Sequence, residues 1–341
     1  LVGAVFVAGP AGLLAKLTPE SLDLSFWATV VFVYYVLATL LPIDKIIGKI
    51  YPIFAIALIF MAAGILFMIF WHHPALPELT DGIANTHPDG LPIFPMMFIS
   101  IACGAISGFH ATQSPLMARC MTNEKYGRPV FYGAMITEGI VALIWAAAAT
   151  YFFHTEEGSA LFAAGSGNDN AAVIVDSITK EWLGVVGGFL AILGVIAAPI
   201  TSGDTAFRSA RLIVADFLRV DQKPILKRLM ISVPLFVAGY IILHANFSVL
   251  WRYFAWCNQT LAVFTLWALT VYLTQKRKPY VITLIPALFM TAVCSTYILI
   301  AREGLHLPQE LAYWLGGAVT LFIFVLFLVW RNKYLRRNPT I

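Results

Sequence analysis

An all-α polytopic membrane protein of about nine to ten transmembrane helices is the fold class this sequence predicts, and three observations predict it. The 341 residues are 60% hydrophobic and 12% charged, with mean hydropathy +0.82. A single soluble core cannot hide that much apolar surface behind so few charges. Apolar runs of membrane-spanning length recur along the chain, allowing roughly 20 residues per crossing. The basic residues segregate to alternate loops, as the positive-inside bias requires.

The elements follow in order. Residues 1–15 are a short, Gly-rich apolar piece without an initiator Met, basic leader or cleavage site, and read as the end of a helix whose beginning is missing. The first whole span is 25–41, "SFWATVVFVYYVLATLL", running up to Pro42. The second is 50–70. The third, 92–109, mixes apolar residues with Ser100, Cys103, Gly104, Ser107 and Gly108, and is followed by His110, Gln113 and Pro115, where the helix is expected to break. The fourth, 130–153, carries Glu138, and the fifth, 183–200, reaches Pro199. Spans 229–243, 250–273, 281–300 and 311–330 complete the set, the second of these holding Asn258 and Gln259. The whole chain, 1–341, reads as one transmembrane domain, a fragment of a longer protein.

Charge tests this segmentation independently. If alternate loops are cytoplasmic beginning with residues 42–49, those loops and the tail hold 18 of the 22 Lys and Arg residues, including Arg208, Arg211, Arg277, Lys278 and Arg331. The opposite loops hold only Lys16, Lys180, Arg252 and Arg302, and collect Glu78, Asp81, Asp89, Glu156, Glu157, Asp169 and Asp176. The C-terminus is therefore expected on the cytoplasmic side of the membrane. The formal charge of +4 belongs to this topology and carries no nucleic-acid affinity.

Cys103, Cys120, Cys257 and Cys294 form no CxxC pair, so neither a disulfide framework nor a metal cluster is indicated. His72, His73 and His87 stand on one acidic outer loop, either as a metal site or as a solvated Pro-rich segment. No cofactor is expected. HExxH and GxSxG are both missing from the sequence, so a membrane-embedded enzyme is not the reading.

The chemistry is sought among polar residues at membrane depth, where each costs free energy and tends to face the bundle interior or a water-filled path. Ser100, Gly104, Ser107, Gly108 and His110 stand at i, i+3 and i, i+4 spacings, as a polar-lined path or as small-residue packing. Gln113 follows them into a polar vestibule. Glu138 is either a proton carrier or a neutral acid bonded to a neighbouring helix. In "GVIAAPITSGDTAFRSAR", Pro199 is expected to interrupt the helix and free carbonyls beside Thr201, Ser202, Asp204 and Thr205. Those hard oxygens suit Na⁺ or a polar substrate, or else Asp204 pairs with Arg208 at i, i+4. Tyr34, Tyr35 and Thr39 precede Pro42 on what is otherwise lipid-facing helix, and Asn258 and Gln259 suit interhelical hydrogen bonding or substrate contact.

At these residues the sequence resembles the carbon starvation protein A family of bacterial inner-membrane transporters. The resemblance rests on "FISIACGAISGFHATQSP", "FYGAMITEGIVALIWAAAA", "SGDTAFRSARLIVADFL" and "WCNQTLAVFTLW" in that order, and spans residues 24 to 300. It implies an inverted-repeat helical fold of the amino acid, polyamine and organocation superfamily. It also implies secondary active uptake of peptides, or of pyruvate, during nutrient limitation, coupled to H⁺ or Na⁺. The translocation path would then hold Tyr34, Tyr35, Thr39, Ser100, Gly104, Ser107, Gly108, His110, Gln113, Asn258 and Gln259. Ion coupling would fall to Glu138, Thr201, Ser202, Asp204 and Thr205. Partners are the lipid bilayer and the substrate. Members carry an upstream "GHHFAAIAGAGP"-type segment that does not occur in these 341 residues. The rival reading is a channel or structural membrane protein.

Overall fold

The computed structural model describes residues 1–40, 44–74, 76, 78, 85, 90–104, 106–163, 171–244 and 247–338. Among them every regular element is helical. In chain order these are α1 (Val2–Leu17), α2 (Leu24–Leu40), α3 (Asp44–His72), α4 (Ile93–Ile101), α5 (Gly108–Cys120), α6 (Ala134–Phe153), α7 (Glu156–Ala163), α8 (Ala171–Phe217), α9 (Ile225–Leu243), α10 (Phe247–Gln275), α11 (Val281–Ile300) and α12 (Gln309–Arg337). Seven helical stretches, in α3, α6 and α8 through α12, are long and apolar enough to cross a membrane, and shorter apolar helices occupy Val2–Ala15 and Leu24–Ala38. Leu143, 72% exposed, and Trp314, 80% exposed, are typical of their outward faces. A multi-pass membrane protein presents such side chains to lipid tails.

Local chemistry sets several boundaries. The Asp23 carboxylate accepts from the Phe26 amide at 2.8 Å, capping α2 three residues before its first turn closes. Pro92 and Pro224 stand immediately before α4 and α9, where a missing amide costs nothing. A 3₁₀ turn at Glu124–Tyr126 and a π-helical turn at Arg128–Gly133 lead into α6.

Three sequence expectations are corrected. Residues 92–109 are not one helix: α4 ends at Ile101, a 3₁₀ turn covers Ala102–Gly104, and helix resumes at Gly108. Pro115 then lies inside α5 without ending it. Pro199 likewise lies within α8 without ending it; the discontinuity of α8 is at Gly184, whose φ of 66° and ψ of −170° suit only glycine.

The chain forms two compact units, Leu1–Leu79 with Ile140–Trp251, and Thr80–Gly139 with Arg252–Ile341. In the first, α8 packs along α1 and α3. A Cβ added at Gly194 would lie 3.1 Å from the Leu58 backbone, so glycine there brings α8 close to α3. Met61, Ile65, Ile144, Phe152, Ile178 and Trp182 form one buried cluster; Val7, Tyr35, Phe207 and Phe236 belong to another. In the second unit α11 packs on α12 and α4, around Ile99, Val263, Met290, Val293 and Tyr297. Its helices are also tied by polar groups: Trp267 Nε1 donates to Thr291 Oγ1 at 3.0 Å, Thr270 Oγ1 to Thr283 Oγ1 at 2.9 Å, and Trp256 Nε1 to the Cys294 carbonyl at 3.0 Å.

Candidate functional site

The break between α4 and α5 exposes the first amides of α5, which need partners at membrane depth. Ser107 is the N-cap residue by position, with extended φ and ψ, yet its side chain does not cap the helix. A side chain from α10 does so instead. Asn258 Oδ1 accepts from the Phe109 amide at 2.7 Å, and Asn258 Nδ2 donates to Ser107 Oγ at 3.2 Å. This approach requires Gly108, where a Cβ would stand 2.1 Å from the Asn258 carbonyl oxygen and 2.9 Å from the Ala262 amide nitrogen. Thr112, Ser114 and Gln113 continue the polar face: Thr112 Oγ1 donates to the Phe109 carbonyl at 2.7 Å, Ser114 Oγ to the His110 carbonyl at 2.7 Å, and Gln113 Nε2 to Thr112 Oγ1 at 3.2 Å.

In the first turn of α5, His110 Nε2 lies 3.1 Å from Glu138 Oε2. Glu138 is held one turn into α6, just after the π-helical turn, so a carboxyl and an imidazole that lie 28 positions apart meet on facing helices. Neither side chain is sealed within the fold: they are 35% and 41% exposed. The pair can hold one proton in common, or exchange its carboxylate for another.

The sequence-predicted residues therefore separate into groups. Ser107, Gly108 and Asn258 meet at the helix break, His110 in the adjoining turn of α5 meets Glu138, and Gln113 lies one turn further along with its amide on Thr112. Gln259, fully buried, neighbours Asn258 in α10. Gly104 closes the 3₁₀ turn, whereas Ser100 stays in α4 with its hydroxyl turned back to the Met96 carbonyl at 3.3 Å. The i, i+4 series read from Ser100 through Gly104 to Gly108 does not form, because the backbone leaves the helix after Ile101 and resumes it at Gly108.

The other predicted residues lie in the first unit. Tyr35, fully buried, donates toward the carbonyls of Phe6 at 2.9 Å and Pro199 at 3.2 Å, and a Cβ at Gly203 would stand 2.3 Å from its hydroxyl. Its ring lies beside that of Tyr34, centroids 5.6 Å apart. The side chain of Thr39 falls outside the described residues. Thr201 Oγ1 donates to the Ala198 carbonyl at 2.9 Å and Thr205 Oγ1 to that of Thr201 at 2.9 Å. Ser202 is half-buried on the same stretch of α8. Asp204, 2% exposed, meets Arg208 Nη2 at 3.1 Å, the i, i+4 pairing open to it in the sequence. The outer-loop His87 is outside the described residues, so the His72, His73 and His87 grouping is not seen as a unit.

One polar cluster escaped the sequence reading. Glu303, just past α11, has a side chain only 6% exposed; its Oε2 lies 3.2 Å from Arg252 Nε, and Oε1 accepts from the Tyr297 hydroxyl at 2.6 Å. The Tyr253 hydroxyl donates to the Glu303 carbonyl. The available signal was an acid directly after an apolar helix bearing a tyrosine six positions earlier.

The sequence matches the family described as carbon starvation protein CstA over residues 13–182 and 146–297. It is 37% identical to an uncharacterized membrane protein of Haemophilus influenzae, over 46% of this chain and 56% of that protein. It is 41% identical to the pyruvate/proton symporter BtsT of Escherichia coli over 23% of this chain and 11% of that one. With the peptide transporter CstA of Bacillus subtilis it shares 26% identity over 69% of this chain and 47% of that one. The chain thus spans about half the length, or less, of these relatives. No solved structure matches it.

Proposed function

Because this chain belongs to the carbon starvation protein CstA family, we propose that it builds the path of a secondary carrier. That carrier brings peptides, or a small carboxylate such as pyruvate, across the bacterial inner membrane when carbon is scarce. Its C-terminus faces the cytoplasm, as the charge bias favours. It acts by transport and alters no covalent bond of its substrate, in keeping with relatives named as transporters.

The coupling ion in this reading is H⁺, and the observation that carries it is the 3.1 Å contact of His110 with Glu138 beside a broken helix. Peptides and pyruvate share a carboxylate. When that carboxylate arrives at a protonated His110, it takes the place of Glu138, and the released Glu138 takes up a proton to stay neutral at membrane depth. Substrate and proton are then bound together and leave together. A Na⁺ site at Thr201, Ser202, Asp204 and Thr205 is the weaker reading, since Arg208 already meets the Asp204 charge and both threonine hydroxyls are turned to their own helix.

The test is uptake into proteoliposomes. Glu138→Gln keeps the size and hydrogen bonding of the side chain but fixes it uncharged. Counterflow exchange of pyruvate or dipeptide should persist, while accumulation driven by a pH gradient should vanish. Accumulation at the wild-type level would return Glu138 to a structural role. Current without saturation would mark a channel.

A further inference from the structure

In the second unit, the last turn of α10, the start of α11 and the C-terminal part of α12 surround an open cavity of about 460 Å³. Thr274, Arg277, Lys278, Tyr280, Arg331 and Leu335 line it: three cations and no acid. Among the described residues, none of the three cations forms a salt bridge. Arg331 lies over the Tyr280 ring, its guanidinium carbon 5.3 Å from the centroid, and its Nε is buried without a hydrogen-bond partner among the described residues. Arg277, held at a φ of 53°, donates one Nη2 bond to the Asn338 carbonyl at 2.6 Å. The other N–H groups of its fork are not used by that bond.

Cations commonly gather at helix C-termini, and both α10 and α12 end here. That need is small, because each terminus carries about half a charge. Lys276, Arg277, Lys278, Arg331, Lys333, Arg336 and Arg337 far exceed it. The N-terminus of α11, starting from Tyr280 with no side-chain cap, adds a positive end to the same place. The positive-inside bias accounts for basic residues at this end of the helices but not for their convergence on one cavity without an acid, where the guanidinium groups suit the tetrahedral oxygens of a phosphate.

Position identifies the carrier of that phosphate. All three helices are long and apolar enough to cross the membrane, so their ends lie at head-group depth. Directly beyond Tyr280, α11 presents Val281, Ile282 and Ile285, 48%, 73% and 63% exposed, an apolar strip running away from the cations. A charged pocket above an exposed apolar strip matches a head group with its acyl chains. We propose that this cavity binds a phosphate-bearing anion, supplied in the membrane by the head group of an anionic phospholipid.

The test uses the protein in nanodiscs of phosphatidylcholine with and without phosphatidylglycerol. Native mass spectrometry counts retained phosphatidylglycerol, and parallel discs without it are titrated with inorganic phosphate. Wild type should retain phosphatidylglycerol, and Lys278→Gln and Arg331→Gln should each weaken retention about fivefold. Arg331→Lys should weaken it less, and Arg336→Gln, which is outside the cavity, should change it little. Helical content by circular dichroism, measured in phosphatidylcholine alone, separates lost binding from lost fold. Equal retention by the cavity variants and the Arg336→Gln control overturns the site. Retention of inorganic phosphate but not of phosphatidylglycerol, with the same variant sensitivity, overturns the lipid as its source.

Discussion

Replacing Gly108 with alanine should unseat α5 from α10. The added Cβ would meet the Asn258 carbonyl oxygen at 2.1 Å, Leu261 Cβ at 2.7 Å and the Ala262 amide nitrogen at 2.9 Å. Two of these neighbours are helix backbone, which cannot swing aside as a flexible side chain does. Relieving the closest contact to about 3.0 Å takes roughly 0.9 Å of retreat, which stretches the 2.7 Å Phe109 to Asn258 bond to about 3.6 Å, beyond hydrogen-bonding range. Overpacking of this kind costs about 1–3 kcal/mol, and the stranded amide about 1 kcal/mol more. Together these predict a loss of about 2–4 kcal/mol, or a fall in apparent Tm of roughly 3–6 °C for a chain of 341 residues. Thermal unfolding in nanodiscs, followed by tryptophan fluorescence, measures it. Gly139→Ala serves as the control, because a Cβ there meets nothing within 4 Å. Equal Tm values for the two variants would refute the close approach of α5 to α10, and with it the capping by Asn258.

His110→Ala should abolish uptake while leaving the amount of protein in the membrane unchanged; wild-type uptake by this variant would remove His110 from the path. Tyr35→Phe deletes a hydroxyl aimed at the Phe6 and Pro199 carbonyls and should cost about 1 kcal/mol in unfolding experiments, with no change in substrate choice. Glu303→Gln keeps an acceptor for Tyr297 but loses the charge facing Arg252. Because Arg252 is 38% exposed, that loss should be about 1 kcal/mol, well below the cost of breaking a sealed ion pair, and Glu303→Ala should cost more.

The long spans were legible because one requirement, a continuous apolar run, decides them. The span read at 281–300 coincides with α11, those read at 25–41, 229–243 and 250–273 fall within a few residues of their helices, and that read at 311–330 lies inside α12, which continues through the basic residues to Arg337. The break after Ile101 was not legible, since "ISIACGAISGFH" is as apolar and small on one side of it as on the other. What ends α4 and restarts the chain at Gly108 includes Asn258, about 150 positions away, and no local pattern carries that information. Pro199 misled for the opposite reason. Proline forfeits one amide, and α8 continues past it with its carbonyl engaged by Tyr35. His110 and Glu138 each stood out as polar groups in apolar surroundings, but only the folded chain shows that they face each other.

The capping of α5 by Asn258 also has a consequence for biogenesis. The Phe109 amide and its acceptor are 149 residues apart, so the acceptor is synthesised long after the donor. At about 5–20 residues per second, α10 follows the break by roughly 7–30 s. During that interval the Phe109 amide lacks this acceptor, a cost at membrane depth that favours keeping the α4–α5 segment beside water or the insertion machinery. Emergence of α10 releases it. The second unit is therefore completed from its C-terminal side, with the earlier half of its chain held in reserve until the later half arrives.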